Sequence, residues 1–327
     1  MKRLHIIAGI TVAALASGCS SDSASLEKPT TTSGATSGVG SKSTTTSPQS
    51  NCRQPDLERT VAYRIIEGAN KNLTSLDVYS PPQACNSPVV MWVHGGGYIR
   101  GDKSNQIKDK AKLFNDQGWT LVSVNYRLSR PPKSQQANRN AQFPNHYDDV
   151  AASVAWVKSN IGKYGGDGSR IAILGHSAGA DIVSNVTVNP AYLAEYNLKL
   201  ATLTCAAPLD TEGFNKPVAG ASDPDGEKVQ WQSALGNNPN YLTETSATLN
   251  IKADIGIPPM LTVVRGSAQR QSIEQGFADA LTAANIDVTV IDAKKLTHAQ
   301  VSNRIGAAND SVITAPLVKF LTGCFQG

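Results

Sequence analysis

One serine lies between small residues at the point where an apolar run gives way to a helical pattern. The run RIAIL leads into GHSAG, with Ser177 at its centre, and ADIVSNVTV follows. A G-x-S-x-G pattern between a strand and a helix is typical of a sharp turn that exposes the serine hydroxyl, with the N–H of Ala178 directed into the same site. A hydroxyl is a weak nucleophile at neutral pH, so it needs a neighbouring base and donors for the oxyanion that it creates. The alternative is a turn of small residues without chemistry.

A second glycine-rich stretch supplies candidates for those donors. HGGGY occupies positions 94–98, directly after the apolar run SPVVMWV. Consecutive glycines let backbone N–H groups approach a bound oxyanion with no side chain in the way. We therefore expect the N–H groups of Gly96 and Gly97 to act with that of Ala178, and His94 to brace the loop.

These motifs, in this order, resemble those of serine carboxylesterases with the α/β-hydrolase fold, close to the hormone-sensitive-lipase-like and feruloyl-esterase-type groups. The resemblance covers about residues 57–324. It rests on VHGGGYIRGDK at 93–103, VNYRLS at 124–129, YGGDGSRIAILGHSAGA at 164–180 and THAQVSNRIG at 297–306. It implies a mostly parallel sheet with helices on both faces and hydrolysis of short to medium acyl esters or aryl esters, including acetyl or feruloyl esters on a polymer.

The base in such a site is a histidine that follows the last strand. His298 comes directly after VTVIDAKKL, where the resemblance implies the general base. His5 falls in a leader-like segment, His94 and His176 belong to the two glycine motifs, and His146 precedes the nucleophile. An exposed loop histidine is the alternative for His298.

The acid is the part of the site where the sequence departs from the family pattern. A carboxylate is expected in the loop after the next-to-last strand, but that loop reads RGSAQ at 265–269. Asp210, at the end of the strand LTCAAPLD, is the first candidate, with a bracing role as its alternative. Glu274 is the second candidate, and a serine–histidine pair aided by Gln269 is the third. Asp292 lies in or just after the last strand and is expected to point away.

Strand and helix patterns alternate along the rest of the chain. Runs such as WTLVSVNYR, MLTVV and VTVIDA are typical of buried strands, and Val150, Val154 and Val157 recur at helical spacing. This alternation predicts an α/β domain with a mostly parallel sheet. Two long polar stretches, 128–146 and 211–258, interrupt it, and we expect them to form loops over the site.

The N-terminal segment is predicted to lie outside this domain. Residues 1–18 combine a positive start with a short apolar run, as in a signal peptide, and Cys19 follows LASG as in a bacterial lipoprotein box. Ordinary secretion is the alternative to lipidation of Cys19. Residues 19–50 are rich in Ser and Thr and are typical of a flexible tether, which leaves 51–327 as the catalytic domain.

Four further cysteines suggest two disulfides in an exported chain. We favour Cys52–Cys85, which brackets an apparent hairpin, and Cys205–Cys324, which would tie a core strand to the last helix. Four cysteines allow three pairings, and buried free thiols are the alternative.

Composition limits the remaining functions. The chain has 327 residues and a net charge of +4, with basic and acidic residues well mixed. We therefore expect no nucleic-acid partner, no membrane contact except through a lipid at the N-terminus, and no cofactor. No group of Cys and His has metal-ligand spacing, so no metal is predicted. An amidase or formamidase and a surface protein that has lost catalysis remain the alternatives to an esterase.

Overall fold

A computed structural model describes Cys52 and residues 58–130, 140–220 and 227–326. The predicted signal peptide, Cys19 and the tether lie outside the described residues. Among the residues that are described, no helix combines the length and the apolar character needed to cross a bilayer.

The described residues form one sheet of eight strands in the order β1-β2-β4-β3-β5-β6-β7-β8. β1 and β2 pair antiparallel, as do β2 and β4, while the other neighbours run parallel. The strands are β1 Thr60–Ala62, β2 Ser75–Tyr79, β3 Ser87–Val93, β4 Thr120–Val124, β5 Gly166–His176, β6 Cys205–Leu209, β7 Met260–Val264 and β8 Val288–Asp292. The mostly parallel sheet confirms the predicted fold class.

Eleven α-helices lie in the described part of the chain. They are α1 Ile107–Asp116, α2 Asn145–Asn160, α3 Ala178–Val188, α4 Pro190–Ala194, α5 Lys216–Ala219, α6 Glu227–Leu235, α7 Asn240–Glu244, α8 Ala247–Asn250, α9 Ala268–Ala283, α10 His298–Asn303 and α11 Thr314–Gln326.

Helices cover both faces of the sheet because successive strand residues point to opposite sides. Val89 and Met91 of β3 pack with residues of α2, α3 and α9. Val90 and Trp92 pack with residues of α1, α10 and α11. The central strands are buried on both faces, which accounts for their continuous apolar runs.

Two predictions of local structure need correction. Residues 57–66, LERTVAYRII, have the pattern of one strand, but of the described residues 58–66 only Thr60–Ala62 form β1, because the register with β2 ends at Ala62 and the Tyr63 hydroxyl donates to the carbonyl of Asn125. The stretch 211–258 is not a plain loop, since it contains α5 to α8. Those helices form because residues such as Trp231 and Leu235 are buried in the core.

Two disulfides occur among the described residues, Cys52–Cys85 and Cys205–Cys324. They are the two pairs that the sequence favoured. The second joins the start of β6 to α11.

Candidate active site

The turn between β5 and α3 holds Ser177 in a conformation that few residues adopt. Ser177 has φ 57° and ψ −124°, and α3 begins at the next residue. A non-glycine residue with positive φ is sterically strained, and such strain concentrates at functional sites. A β-carbon on Gly175 would overlap the carbonyl of Gly179, and one on Gly179 would overlap the carbonyl of Val93. Only glycine fits at positions 175 and 179, two residues before and two residues after the serine.

The loop after β3 places its glycines beside this turn. Gly96 and Gly97 have φ of 116° and 59°, in the region that favours glycine. A β-carbon on Gly96 would overlap the carbonyl of Arg100, and one on Gly97 would overlap the side-chain oxygen of Gln230. The backbone overlap requires glycine at position 96, whereas at position 97 the flexible Gln230 side chain would have to move aside.

His94 and Tyr98 hold this loop from its two ends. The ring of His94 stacks on Tyr126 with 4.5 Å between centroids, and its Nδ1 lies 2.7 Å from the carbonyl oxygen of Gly95. Burial lowers the pKa of His94, so the ring is neutral at neutral pH. The Tyr98 hydroxyl donates to buried Asp181 on α3. This hydrogen bond links the loop to α3, the helix that follows Ser177. Asp181 also pairs with Lys216 at 2.8 Å.

His298 is the first residue of α10, and Thr297 caps that helix in a capping box with Gln300. Nδ1 of His298 lies 2.7 Å from Oδ2 of Asp210. His298 is partly exposed and lines the same cavity as Ser177, although no hydrogen bond joins these two described side chains. Catalytic hydrogen bonds are often long in the absence of substrate.

His176, beside the serine, supports His298 from below. Its Nε2 lies 2.9 Å from the carbonyl oxygen of His298, so this nitrogen carries a proton and donates it. Burial, together with the neighbouring His298, lowers the pKa of His176 to about 3, so the ring stays neutral. The sequence assigned His176 only to the glycine motif, and this contact across 122 residues had no local signal.

Asp210 directly follows β6, has φ 65° and is fully buried. Its Oδ2 faces His298 and Nε of Arg265, and its Oδ1 accepts from Nε of Arg270 at 2.9 Å. Burial alone would raise the pKa of Asp210. The hydrogen bond with His298 and the charges of Arg270 and Arg265 outweigh that effect and hold the pKa well below its usual range.

The other acid candidates lie elsewhere. Glu274 accepts the backbone N–H of Arg265 at 2.7 Å, and no contact joins it to His298 in the described structure. Burial and the charge of Asp210 raise the pKa of Glu274 to about 9. Gln269 donates to the carbonyl of Val218, and exposed Asp292 pairs with Lys294. Of the four candidates, Asp210 alone contacts the imidazole.

Sequence reasoning missed Arg265 and Arg270. Both follow β7, in and after the loop where a carboxylate was expected, and both turn toward Asp210 on the neighbouring strand. Two arginines five residues apart in an acid-free run were the available signal, since buried guanidinium groups require an anion.

A metal ion would find an unsuitable set of ligands here. The side chains of His176, Asp210 and His298 bring three ligand atoms within 4.8 Å of one another. The Asp210 oxygens already accept from two arginines, whose charges oppose a cation. His176 uses its Nε2 for the carbonyl of His298.

The glycine loop, Ser177 and His298 open onto one cavity of about 560 Å³. The cavity lies at the carboxyl ends of β3, β5 and β7, the edge at which open α/β sheets bind ligands.

Comparison with solved structures identifies the fold. Esterase B from Lactobacillus rhamnosis superposes with a TM-score of 0.66 at 16% identity, over 82% of this chain and 87% of that one. The chain has the α/β-hydrolase fold. The BD-FAE family model matches residues 76–198 of this chain, from β2 to the end of the α3–α4 region.

Curated relatives match a similar part of the chain. Gut esterase 1 of Caenorhabditis elegans is 36% identical over 133 residues, which are 39% of this chain and 24% of the relative. Pyrethroid hydrolase Ces2a of Mus musculus is 32% identical over 154 residues, 44% of this chain and 27% of the relative. The chain thus spans about a quarter of the length of these relatives.

Proposed function

We propose that this α/β-hydrolase cleaves carboxylic esters, with Ser177 as nucleophile, His298 as base and Asp210 as the acid that orients the base. One observation carries the proposal: a strained serine, a histidine bound to a buried carboxylate and a glycine loop open onto one cavity. The similarity to proteins named as esterases supports the same reaction class.

The reaction follows from the chemistry of these groups. Nε2 of His298 takes the Ser177 proton as Oγ attacks the ester carbonyl carbon, while Asp210 accepts from Nδ1 and stabilises the imidazolium. The alcohol leaves with the proton from His298, and the acyl group stays on Ser177. Water gives a proton to His298 as its oxygen attacks the acyl carbon; the bond to Oγ then breaks, His298 returns the proton to Oγ, and the acid is released with Ser177 restored.

Backbone donors complete the proposed site. The N–H groups of Gly96, Gly97 and Ala178 are assigned to the oxyanion, and that of Ala178 lies at the N-terminus of α3, where the helix dipole favours negative charge. Loss of one such donor is expected to lower the rate by about 10²–10³.

The test follows release of para-nitrophenol from the acetate and butyrate esters, together with labelling by a fluorophosphonate. We expect the wild type to turn over both esters and to label, and Ser177→Ala to lose both properties. Ser169→Ala is the matched control, because Ser169 is an exposed serine at the beginning of the same strand.

Each alternative gives a distinct result. Faster cleavage of a matched anilide than of the ester would identify an amidase. Failure of the wild type to label would indicate a site that has turned to binding, and would refute the proposal.

We also propose that the chain is exported and anchored. The sequence supports this with the signal-like residues 1–18, with Cys19 in a lipoprotein-type box and with the tether at 19–50. The two disulfides are compatible with an oxidising compartment. A Cys19→Ser variant that incorporates lipid label as well as the wild type would refute the anchor.

A further inference from the structure

The cavity beside Ser177 has an unusual wall for a short acyl or aryl group. Among the described residues, the lining contains three arginines, Arg100, Arg265 and Arg270, and no aspartate or glutamate. Four amide side chains add further hydrogen-bonding groups: Asn105, Gln106, Gln230 and Asn303. An apolar acyl chain would remove water from these groups without replacing its hydrogen bonds, which is unfavourable.

Two of the three arginines are already neutralised. Arg265 and Arg270 pair with Asp210, and Arg270 lies 3.4 Å from Glu212. Glu274 adds no negative charge at neutral pH, because burial and Asp210 raise its pKa to about 9. The two guanidinium groups therefore face the carboxylates of Asp210 and Glu212, and this inner cluster has little net charge.

Arg100 differs from both. It is exposed, it lines the cavity, and no carboxylate of the described residues lies within 4.0 Å of its guanidinium. Its Cγ lies 3.1 Å from the position that a β-carbon on Gly96 would take. The aliphatic part of the side chain therefore lies close to Gly96, a proposed oxyanion donor, and the guanidinium group is two bonds beyond Cγ.

A second cation lies beneath the cavity floor. Lys110 donates to the carbonyls of Ser302 at 3.0 Å and Gln106 at 3.3 Å, and it lies 4.8 Å from the ring centroid of Trp92. All three of these partners line the cavity. Its charge adds to that of Arg100, and concave walls of one sign concentrate ligands of the other.

We propose that the preferred esters carry a carboxylate a few atoms from the scissile carbonyl, which Arg100 binds. This inference rests on the proposed function and names its substrate class. A carboxylate is favoured because one free guanidinium offers a planar pair of N–H donors, which match two carboxylate oxygens.

The test compares two esters of equal length, para-nitrophenyl hydrogen adipate and para-nitrophenyl methyl adipate. Both release the same phenolate, and only the first carries a charge at its far end. With hydrolysis in the absence of enzyme subtracted, we expect kcat/KM of the wild type to be higher for the charged ester by about fivefold to tenfold at low ionic strength. The advantage should shrink as salt is added.

Variants assign the preference to Arg100. In Arg100→Gln the ratio of the two kcat/KM values should fall by about fivefold, the size of an exposed ion pair, and Arg100→Lys should keep most of it. Lys319→Gln removes the same charge from an exposed position on α11 that does not line the cavity, and it should leave the ratio unchanged.

The outcomes separate the two proposals. Turnover of the neutral ester without preference for the charged one, or a preference that Arg100→Gln and Lys319→Gln reduce equally, overturns this inference alone. Turnover of neither ester and no labelling of Ser177 overturns the proposed function, and the inference with it.

Discussion

Replacement of Asp210 by asparagine is the most direct test of the acid. The two carboxylate oxygens serve three side-chain partners: His298 and Arg265 at Oδ2, and Arg270 at Oδ1. Asparagine has one acceptor oxygen, so its NH₂ group must face either an arginine or the histidine. The substitution therefore changes the base and the buried charges together.

Both effects have an expected size. An amide that faces Nδ1 favours the imidazole tautomer that cannot accept the serine proton, and the loss of orientation is expected to lower kcat by about 10³–10⁴. Removal of one partner from a buried ion pair costs about 3–5 kcal/mol. Because domains are stable by about 5–15 kcal/mol, we expect most of the Asp210→Asn protein to remain folded at 25 °C.

Glu274→Gln is the matched control. The raised pKa of Glu274, about 9, means that the glutamine keeps both its shape and its charge near pH 7.5. We expect less than about a tenfold change in kcat, and a loss of stability of about 1 kcal/mol, the size of one hydrogen bond.

The assay combines para-nitrophenyl acetate hydrolysis with urea unfolding followed by circular dichroism. The kinetics are corrected for the folded fraction of each variant. The reasoning is refuted if Asp210→Asn keeps more than about a tenth of the wild-type kcat, or if Glu274→Gln loses as much as Asp210→Asn does.

Two further predictions concern the loop and the core. Gly96→Ala should lower kcat by about 10²–10³, since a β-carbon would displace the loop. Gly118→Ala is the control, because Gly118 has φ 77° and no atom within 4 Å of the position that a β-carbon would take. It should lower the free energy of unfolding by about 1–2 kcal/mol without a comparable fall in kcat. Equal kcat values for the two variants would contradict the assigned donor. Burial lowers the pKa of His146 to about 3, so the unfolded chain binds a proton below about pH 6.5 that the folded chain does not, and stability falls on acidification. Between about pH 5.5 and 4.5, the free energy of unfolding measured by urea titration should therefore fall by about 1.4 kcal/mol less per pH unit in His146→Gln than in the wild type. Identical slopes for the two proteins would contradict this prediction.

The nucleophile turn and the glycine loop could be predicted because their causes are local. The overlaps that forbid a side chain at Gly175 and Gly179 involve segments already marked by GHSAG and by the end of the strand before HGGG. The alternation of apolar runs likewise predicted the sheet, because its central strands are buried on both faces.

The surroundings of Asp210 were beyond such patterns. The contact between Asp210 and His298 spans 88 residues, and the contacts of Asp210 with Arg265 and Arg270 span 55 and 60. Charge pairing across a fold leaves no periodicity in the sequence. The helices in 211–258 were missed for a related reason: they are short, and tertiary packing stabilises them more than their own propensity does.

The adjacency of β6 and β7 bears on how such a site could change its parts over evolutionary time. Neighbouring parallel strands lie about 4.8 Å apart, so a carboxylate at the end of either one can approach the same imidazole. An ancestor with acids at both strand ends could lose one without an inactive intermediate. The vacated end after β7 then becomes free to acquire arginines, which hold the remaining acid ionised. The histidine need not move, and the exchange takes place between the strands that lie one and two positions from β5, which carries the nucleophile.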